Sequence, residues 1–198
     1  MSSSLRIVIV PGNGGRSYPA PLTGNFYGSL AQECVESGLF RRGGVVSTSM
    51  PDPLRARREV WIPHLKDVVK VDESTIVVGH SSGAEAAMRL AETVRLKGIV
   101  LVAACHTDLG DAGERNAGWY PPSGGAWNWK AIRSNVEWII QFHSIDDPFI
   151  GVSEARHVAK QLSSDYYEMK DKSHFFEPFE EAFLRIKEKI TTSTSTTT

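Results

Sequence analysis

The 198-residue sequence has only two cysteines, Cys34 and Cys105, and no Cys-x-x-Cys pair. That is too few for a disulfide framework, and the spacing fits no cysteine zinc or redox motif. A reducing, cytoplasmic or nucleocytoplasmic setting is the expectation. No apolar run approaches the ~20 residues needed to span a bilayer. Met1-Ser2-Ser3-Ser4 leads straight into a strand-like segment, without the basic stretch and apolar core of a signal peptide. Charge of one sign is also lacking: 22 Lys and Arg stand against 23 Asp and Glu, for a formal net charge of −1. No overall field therefore favours nucleic acid or an anionic membrane, and neither partner is expected. The histidines match no His-Glu-x-x-His or Cys/His spacing, so no metal or other cofactor is expected.

What is present is an alternation of apolar strands and helical segments. Arg6 to Val10 is a β-branched run stopped by Pro11-Gly12, and Asn25 to Ser37 has helical spacing. Val45 to Met50 is a weaker strand. Leu54 to Lys70 reads as a helix interrupted by Pro63. Thr75 to Val78 and Gly98 to Ala103 are continuous apolar runs, as expected of strands buried on both faces. Trp138 to His143 and Tyr166 to Met169 are further strands, and Val152 to Leu162 and Pro178 to Ile190 further helices. This pattern predicts an α/β fold: a mostly parallel central sheet with helices on both faces, a three-layer sandwich. One domain is expected over residues 1–190. Residues 191–198 are Thr and Ser only and are read as a disordered tail.

Residues 76–84 read Ile-Val-Val-Gly-His-Ser-Ser-Gly-Ala, a strand running into Gly-x-Ser-x-Gly and then a strong helix former. The motif makes a sharp strand-to-helix turn with its middle serine exposed at the tip, and Gly79 and Gly83 let strand and helix approach closely. Ser81 occupies the tip; making Ser82 the nucleophile would require glycine at His80 and Ala84. The bare string is common in glycine-rich loops, and the flanking strand and helix are what give it meaning.

A serine hydroxyl needs a base within hydrogen-bond reach, oriented by a carboxylate. After an elbow of this type the acid and then the histidine follow later strands. Trp138 to His143 is followed by Asp146-Asp147-Pro148, and Tyr166 to Met169 by Lys170-Asp171-Lys172-Ser173-His174. Asp147 is favoured as the acid because Pro148 holds its predecessor extended, with Asp146 expected to bond loop amides. His174 is the base expected from position. His106 and His143 lie at strand ends near the site, and His80 beside the nucleophile is a candidate pocket residue. An oxyanion hole would take the amide of Ser82 and one from Gly12-Asn13-Gly14-Gly15, from Asn13 or Gly14, with Asn13 preferred. That loop lacks the third glycine of a dinucleotide fingerprint and the Gly-Lys-Ser/Thr of a P-loop. Arg55, Arg57 and Arg58 are read as a solvated helix face rather than an anion site.

Residues 104–135 break the rhythm with turn residues and three of the five tryptophans, Trp119, Trp127 and Trp129. An insertion without clear periodicity is expected to be a functional loop or lid. Its tryptophans are read either as plugs holding it to the body or as walls of a substrate pocket.

With these residues assembled, the chain resembles the retinoblastoma-binding protein 9 family of small α/β-hydrolase-fold serine hydrolases. The likeness rests on residues 10–15, Met50-Pro51-Asp52-Pro53, residues 78–84, Thr107-Asp108-Leu109-Gly110-Asp111, residues 141–149 and His174-Phe175. It implies an α/β-hydrolase fold and a triad on Ser81, Asp147 and His174, with hydrolysis of small esters or amides. Two departures stand out. The Leu-x-Cys-x-Glu motif that links the family's namesake to retinoblastoma protein is matched here by Val69-Lys70-Val71-Asp72-Glu73, which keeps only the glutamate, so a retinoblastoma-type partner is not expected. The residue before the histidine, commonly glycine in such hydrolases, is Ser173. The function expected is therefore a serine hydrolase acting through an acyl-enzyme. The alternatives are a catalytically silent interaction protein of the same fold, or a thioesterase or acyltransferase using the same triad.

Overall fold

The computed structural model describes residues 4–14, 25–47 and 49–195. Its centre is one parallel sheet of six strands: β1 (Arg6–Val10), β2 (Val45–Ser47), β3 (Thr75–His80), β4 (Gly98–Val102), β5 (Ile139–Ser144) and β6 (Asp165–Met169). The spatial order is β2-β1-β3-β4-β5-β6. Strands β1, β3, β4 and β5 are buried along their whole length, which is why apolar residues dominate them and β4 reads as a continuous apolar run. The edge strands β2 and β6 are partly exposed and read weakly in the sequence.

The connections explain the layering. From β1 the chain crosses to β2 in one direction through α1 (Tyr27–Glu36), and every later crossover runs the other way. Because parallel crossovers are right-handed, that reversal places helices on opposite faces. Accordingly α1 packs with the last helix, α7 (Glu181–Ser195). On the other face α2 (Arg58–Pro63), α3 (Ser82–Ala91), α5 (Trp129–Asn135) and α6 (Val152–Leu162) form a contiguous row. The reversal lies between β1 and β3, so the loops after these two strands meet at the carboxyl edge of the sheet, where ligands bind in such folds.

Three expectations are corrected. The helix expected from Leu54 begins only at Arg58 and stops at Pro63, which has no amide to donate. One wider π-type turn, His64–Val68, continues it. The segment 104–135 is not a bare loop but carries α4 (Ala112–Ala117) and α5. Its Asp and Asn turn signals are helix caps: Asp111 accepts the Glu114 amide at 2.9 Å and Asn128 the Ala131 amide at 3.1 Å. Finally, α7 runs on to Ser195 instead of stopping at Ile190. The Thr191 and Thr192 hydroxyls donate back to the carbonyls of Lys187 and Glu188, so these residues join the helix rather than leaving it. Residues 196–198 of the expected tail, and Gly15 of the glycine-rich loop, lie outside the described residues. Among the described residues no helix is long and apolar enough to cross a membrane.

Candidate active site

Ser81 stands between β3 and α3 at φ 52°, ψ −125°, a conformation that L-residues rarely hold. The turn is enforced from both sides. A Cβ on Gly79 would lie 2.1 Å from the Gly83 carbonyl oxygen, and one on Gly83 would lie 2.2 Å from that of Val10. Only glycine fits where strand, helix and the neighbouring strand meet. The Ser81 amide donates to the Val102 carbonyl at 3.0 Å, and its own carbonyl accepts the Ala84 amide at 2.7 Å. The amide of Ser82, at the first position of α3, has no acceptor within the helix.

Asp147 and His174 come together from the loops after β5 and β6. His174 Nδ1 lies 2.8 Å from Asp147 Oδ2. The other carboxylate oxygen of Asp147 accepts the amides of Phe149 and Ile150 at 2.9 and 3.0 Å. Burial works against the charged form of Asp147, but the His174 interaction and these two amides outweigh it and hold the carboxyl below its ordinary range. Asp146 serves the loop instead. Its carboxylate accepts the Ser144 hydroxyl and, at 3.4 Å, the Ser173 amide. Ser173 has φ 47°, in the left-handed region where glycine alone is unstrained, which accounts for glycine being common at such a position.

His80 corrects one expectation. It is 4% exposed and offers no pocket surface. Its Nε2 faces the His174 carbonyl at 2.9 Å, and a carbonyl only accepts, so Nε2 carries the proton. Nδ1 is then the acceptor for the Tyr27 hydroxyl at 2.5 Å, whose oxygen in turn accepts the Gly12 amide at 3.0 Å. Burial, with the neighbouring His174, depresses the His80 pKa to about 3, so the ring is neutral as this chain of bonds requires. The residue next to Ser81 thus ties the loop after β1 to the backbone of His174.

In the glycine-rich loop, the Gly14 amide donates to the Pro53 carbonyl at 2.6 Å and is therefore occupied. The side chain of Asn13 donates to Glu114 on α4 at 3.2 Å. From there a polar chain runs inward: the Tyr120 hydroxyl donates to Glu114 at 3.2 Å and lies 3.3 Å from Cys105 Sγ, and the Cys105 amide donates to Glu85 on α3 at 2.9 Å. Burial pushes the Glu85 carboxyl well above its ordinary range.

The tryptophans of the insertion are anchors. Trp119 is fully buried and donates from Nε1 to the Ala56 carbonyl at 2.8 Å, which overturns its reading as a pocket wall. Trp127 donates to the His106 carbonyl at 2.9 Å and stacks with Trp129, ring centres 5.4 Å apart. Arg89 of α3, only 3% exposed, lies over the Trp127 ring and donates to the carbonyls of Trp119, Gly125 and Ala126. His143 is fully buried, with Nε2 on the Ile150 carbonyl at 3.0 Å. His106 is partly exposed and lies 2.7 Å from Glu154. Nor are the arginines after β2 a simple solvated face, because Arg57 pairs with Asp52 at 2.6 Å and Arg58 donates to the Gly124 carbonyl at 2.5 Å.

The family described as serine hydrolase matches residues 41–183, a span that includes Ser81, Asp147 and His174. The chain belongs to the serine hydrolase family. Serine hydrolase RBBP9 of Rattus norvegicus is 41% identical over 177 residues, covering 88% of this chain and 89% of that one. Among solved structures, the ydeN gene product from B. subtilis has a TM-score of 0.79 at 21% identity, covering 95% of this chain and 100% of that one. The esterase RhEst1 from Rhodococcus sp. ECU1013 has a TM-score of 0.61 at 13% identity, over 96% and 92% of the two chains. At such identities the structural likeness speaks for the fold, and the fold is that of the α/β hydrolases. The chain is a hydrolytic enzyme of this family.

Sequence reasoning missed Tyr27, which only the packing of α1 brings to His80. It also passed over Phe149 and Phe176, whose rings flank that of His174 at 5.0 and 5.5 Å between centres. The runs Asp147-Pro148-Phe149 and His174-Phe175-Phe176, each an exposed-loop aromatic beside a candidate acid or base, were the available signal.

Proposed function

We propose that the chain cleaves small ester or amide substrates through an acyl-enzyme formed on Ser81. His174 takes the Ser81 proton as its oxygen attacks the carbonyl carbon, and Asp147 holds the imidazole in the tautomer that leaves Nε2 free to accept. The oxyanion is held by the amides of Ser82 and Asn13, since the Gly14 amide is committed to Pro53. His174 then returns the proton to the leaving oxygen or nitrogen as its bond to the carbonyl carbon breaks. Water attacks the acyl group with His174 again as base, freeing the acid and restoring Ser81.

The observation that carries this reading is the 2.8 Å contact between Asp147 and His174. It is made by a histidine whose carbonyl is bonded to the residue preceding Ser81. Single substitutions of the two aspartates test it. In ester turnover, Asp147→Asn is expected to lower kcat by about 10⁴-fold, by favouring the wrong imidazole tautomer. Asp146→Asn, which disturbs only loop bonds, is expected to lower it by less than about tenfold. Equal effects of the two substitutions would contradict the assignment.

A further inference from the structure

Phe149 and Phe176 are 61% and 43% exposed, although aromatic side chains as large as these have much to gain from burial. They come from different loops, after β5 and β6, yet their ring centres lie 6.2 Å apart. Both stand against the His174 imidazole, which itself is only 7% exposed. Holding the imidazole accounts for the inner part of each ring and leaves the outer part facing water. Leu54, Leu109 and Ile145 are also exposed, and they too lie in loops that follow strands β2, β4 and β5. Of the eight exposed large hydrophobic residues among those described, five lie in loops that leave the carboxyl ends of strands, the edge of the sheet that carries Ser81. Two large rings in contact and both open to water mark a binding surface in a way that scattered single residues do not.

The reaction chemistry says which part of a substrate would lie there. In the acylation step the imidazole gives its proton to the leaving atom, so that atom must come within hydrogen-bond reach of His174 Nε2. The substituent on the leaving atom then passes over whatever flanks the imidazole. The acyl oxygen is directed elsewhere, to the amides of Asn13 and Ser82. We propose that Phe149 and Phe176 form a leaving-group subsite, selecting esters or amides whose alcohol or amine carries an aromatic or comparably apolar group. The inference rests on Ser81 and His174 acting as proposed above. When the carbonyl–oxygen bond breaks, the proton that His174 took from Ser81 goes to the departing alcohol, and the aromatic group leaves with it.

The test holds the acyl group constant and varies the alcohol. Benzyl acetate and 2-methoxyethyl acetate release alcohols of similar acidity but different apolar surface. Wild-type kcat/KM is expected to favour the benzyl ester by about tenfold, which is what burying roughly 55 Å² of ring surface contributes. In the double variant Phe149→Ala/Phe176→Ala the ratio is expected to fall to within about twofold of one, whereas Phe149→Tyr retains the preference. The ratio between hexanoate and acetate esters of 2-methoxyethanol is expected to be the same in all three proteins. A wild-type ratio near one would overturn the subsite, as would a double variant that slows both acetates equally, the mark of rings that only hold His174. Fluorophosphonate labelling of the wild type separates the two levels. Label on Ser81 without alcohol preference removes the subsite alone, and absence of label removes the reading beneath it.

Discussion

The elbow from Thr75 to Ala91 and the insertion over residues 104–135 are both held firmly, by opposite means. In the elbow the constraint is exclusion: Gly79 and Gly83 fill positions where any side chain would meet backbone atoms at 2.1–2.2 Å. In the insertion it is attachment. Arg89 reaches out of α3 to three carbonyls, Trp119 is plugged onto Ala56, and Glu92 accepts the Asn128 amide at 2.9 Å. Exclusion fixes a backbone to a fraction of an ångström and tolerates no change. Attachment is shared among several side chains and can be weakened one bond at a time. It is the first kind that holds Ser81 at φ 52°.

Gly83→Ala should separate the two modes most sharply. Its Cβ would lie 2.2 Å from the Val10 carbonyl and 2.7 Å from that of Pro11, both backbone atoms that cannot rotate away. A loss of more than about 4 kcal/mol in denaturant unfolding is expected, a large part of the stability of an ordinary domain. Arg89→Met should be milder. It removes the donors from three carbonyls and the cation over Trp127, for a loss of about 3 kcal/mol. Limited proteolysis of that variant is expected to cut between residues 119 and 126 before the rest of the chain. If both variants unfold in one step at the same denaturant concentration, the insertion is not separately attached and the comparison fails.

Glu85 belongs to both regions, sitting on α3 with its carboxyl on the Cys105 amide at 2.9 Å, and it gives the smallest effect. Burial raises its folded pKa, so the folded state keeps a proton that the unfolded state loses near the ordinary value of 4.5. The contribution of Glu85 is therefore full below that pH and declines as pH rises toward the folded pKa. Glu85→Gln keeps the acceptor and cannot ionise. Between pH 5 and pH 6 the variant should gain on the wild type by up to about 1 kcal/mol, measured by denaturant unfolding at each pH. A constant difference would mean that Glu85 is charged in the folded protein.

How far the sequence could be read follows the same division. Exclusion is written locally: glycines at fixed spacing between an apolar strand and a helix former announce the turn at Ser81. The parallel sheet was legible too, because strands buried on both faces read as apolar runs, and that alternation located the loops of Asp147 and His174. Attachment is not local. Nothing near Arg89 in sequence says that it caps a loop some thirty residues later, and Asp111 and Asn128 look like turn residues until the helices they cap are seen. In the sequence His80 is marked only as the neighbour of Ser81. Its function as a link between the Tyr27 hydroxyl and the His174 carbonyl depends on three separate elements meeting. That the Gly14 amide is taken up by the Pro53 carbonyl is likewise marked by no local pattern.

Covalent labelling decides whether Ser81 is the nucleophile. A fluorophosphonate probe should attach to the native wild-type chain at one site. Peptide mapping should place the adduct on Ser81, and folded Ser81→Ala should take up none. A natively folded wild type that stays unlabelled, or an adduct that persists in Ser81→Ala, would rule out Ser81 as the nucleophile.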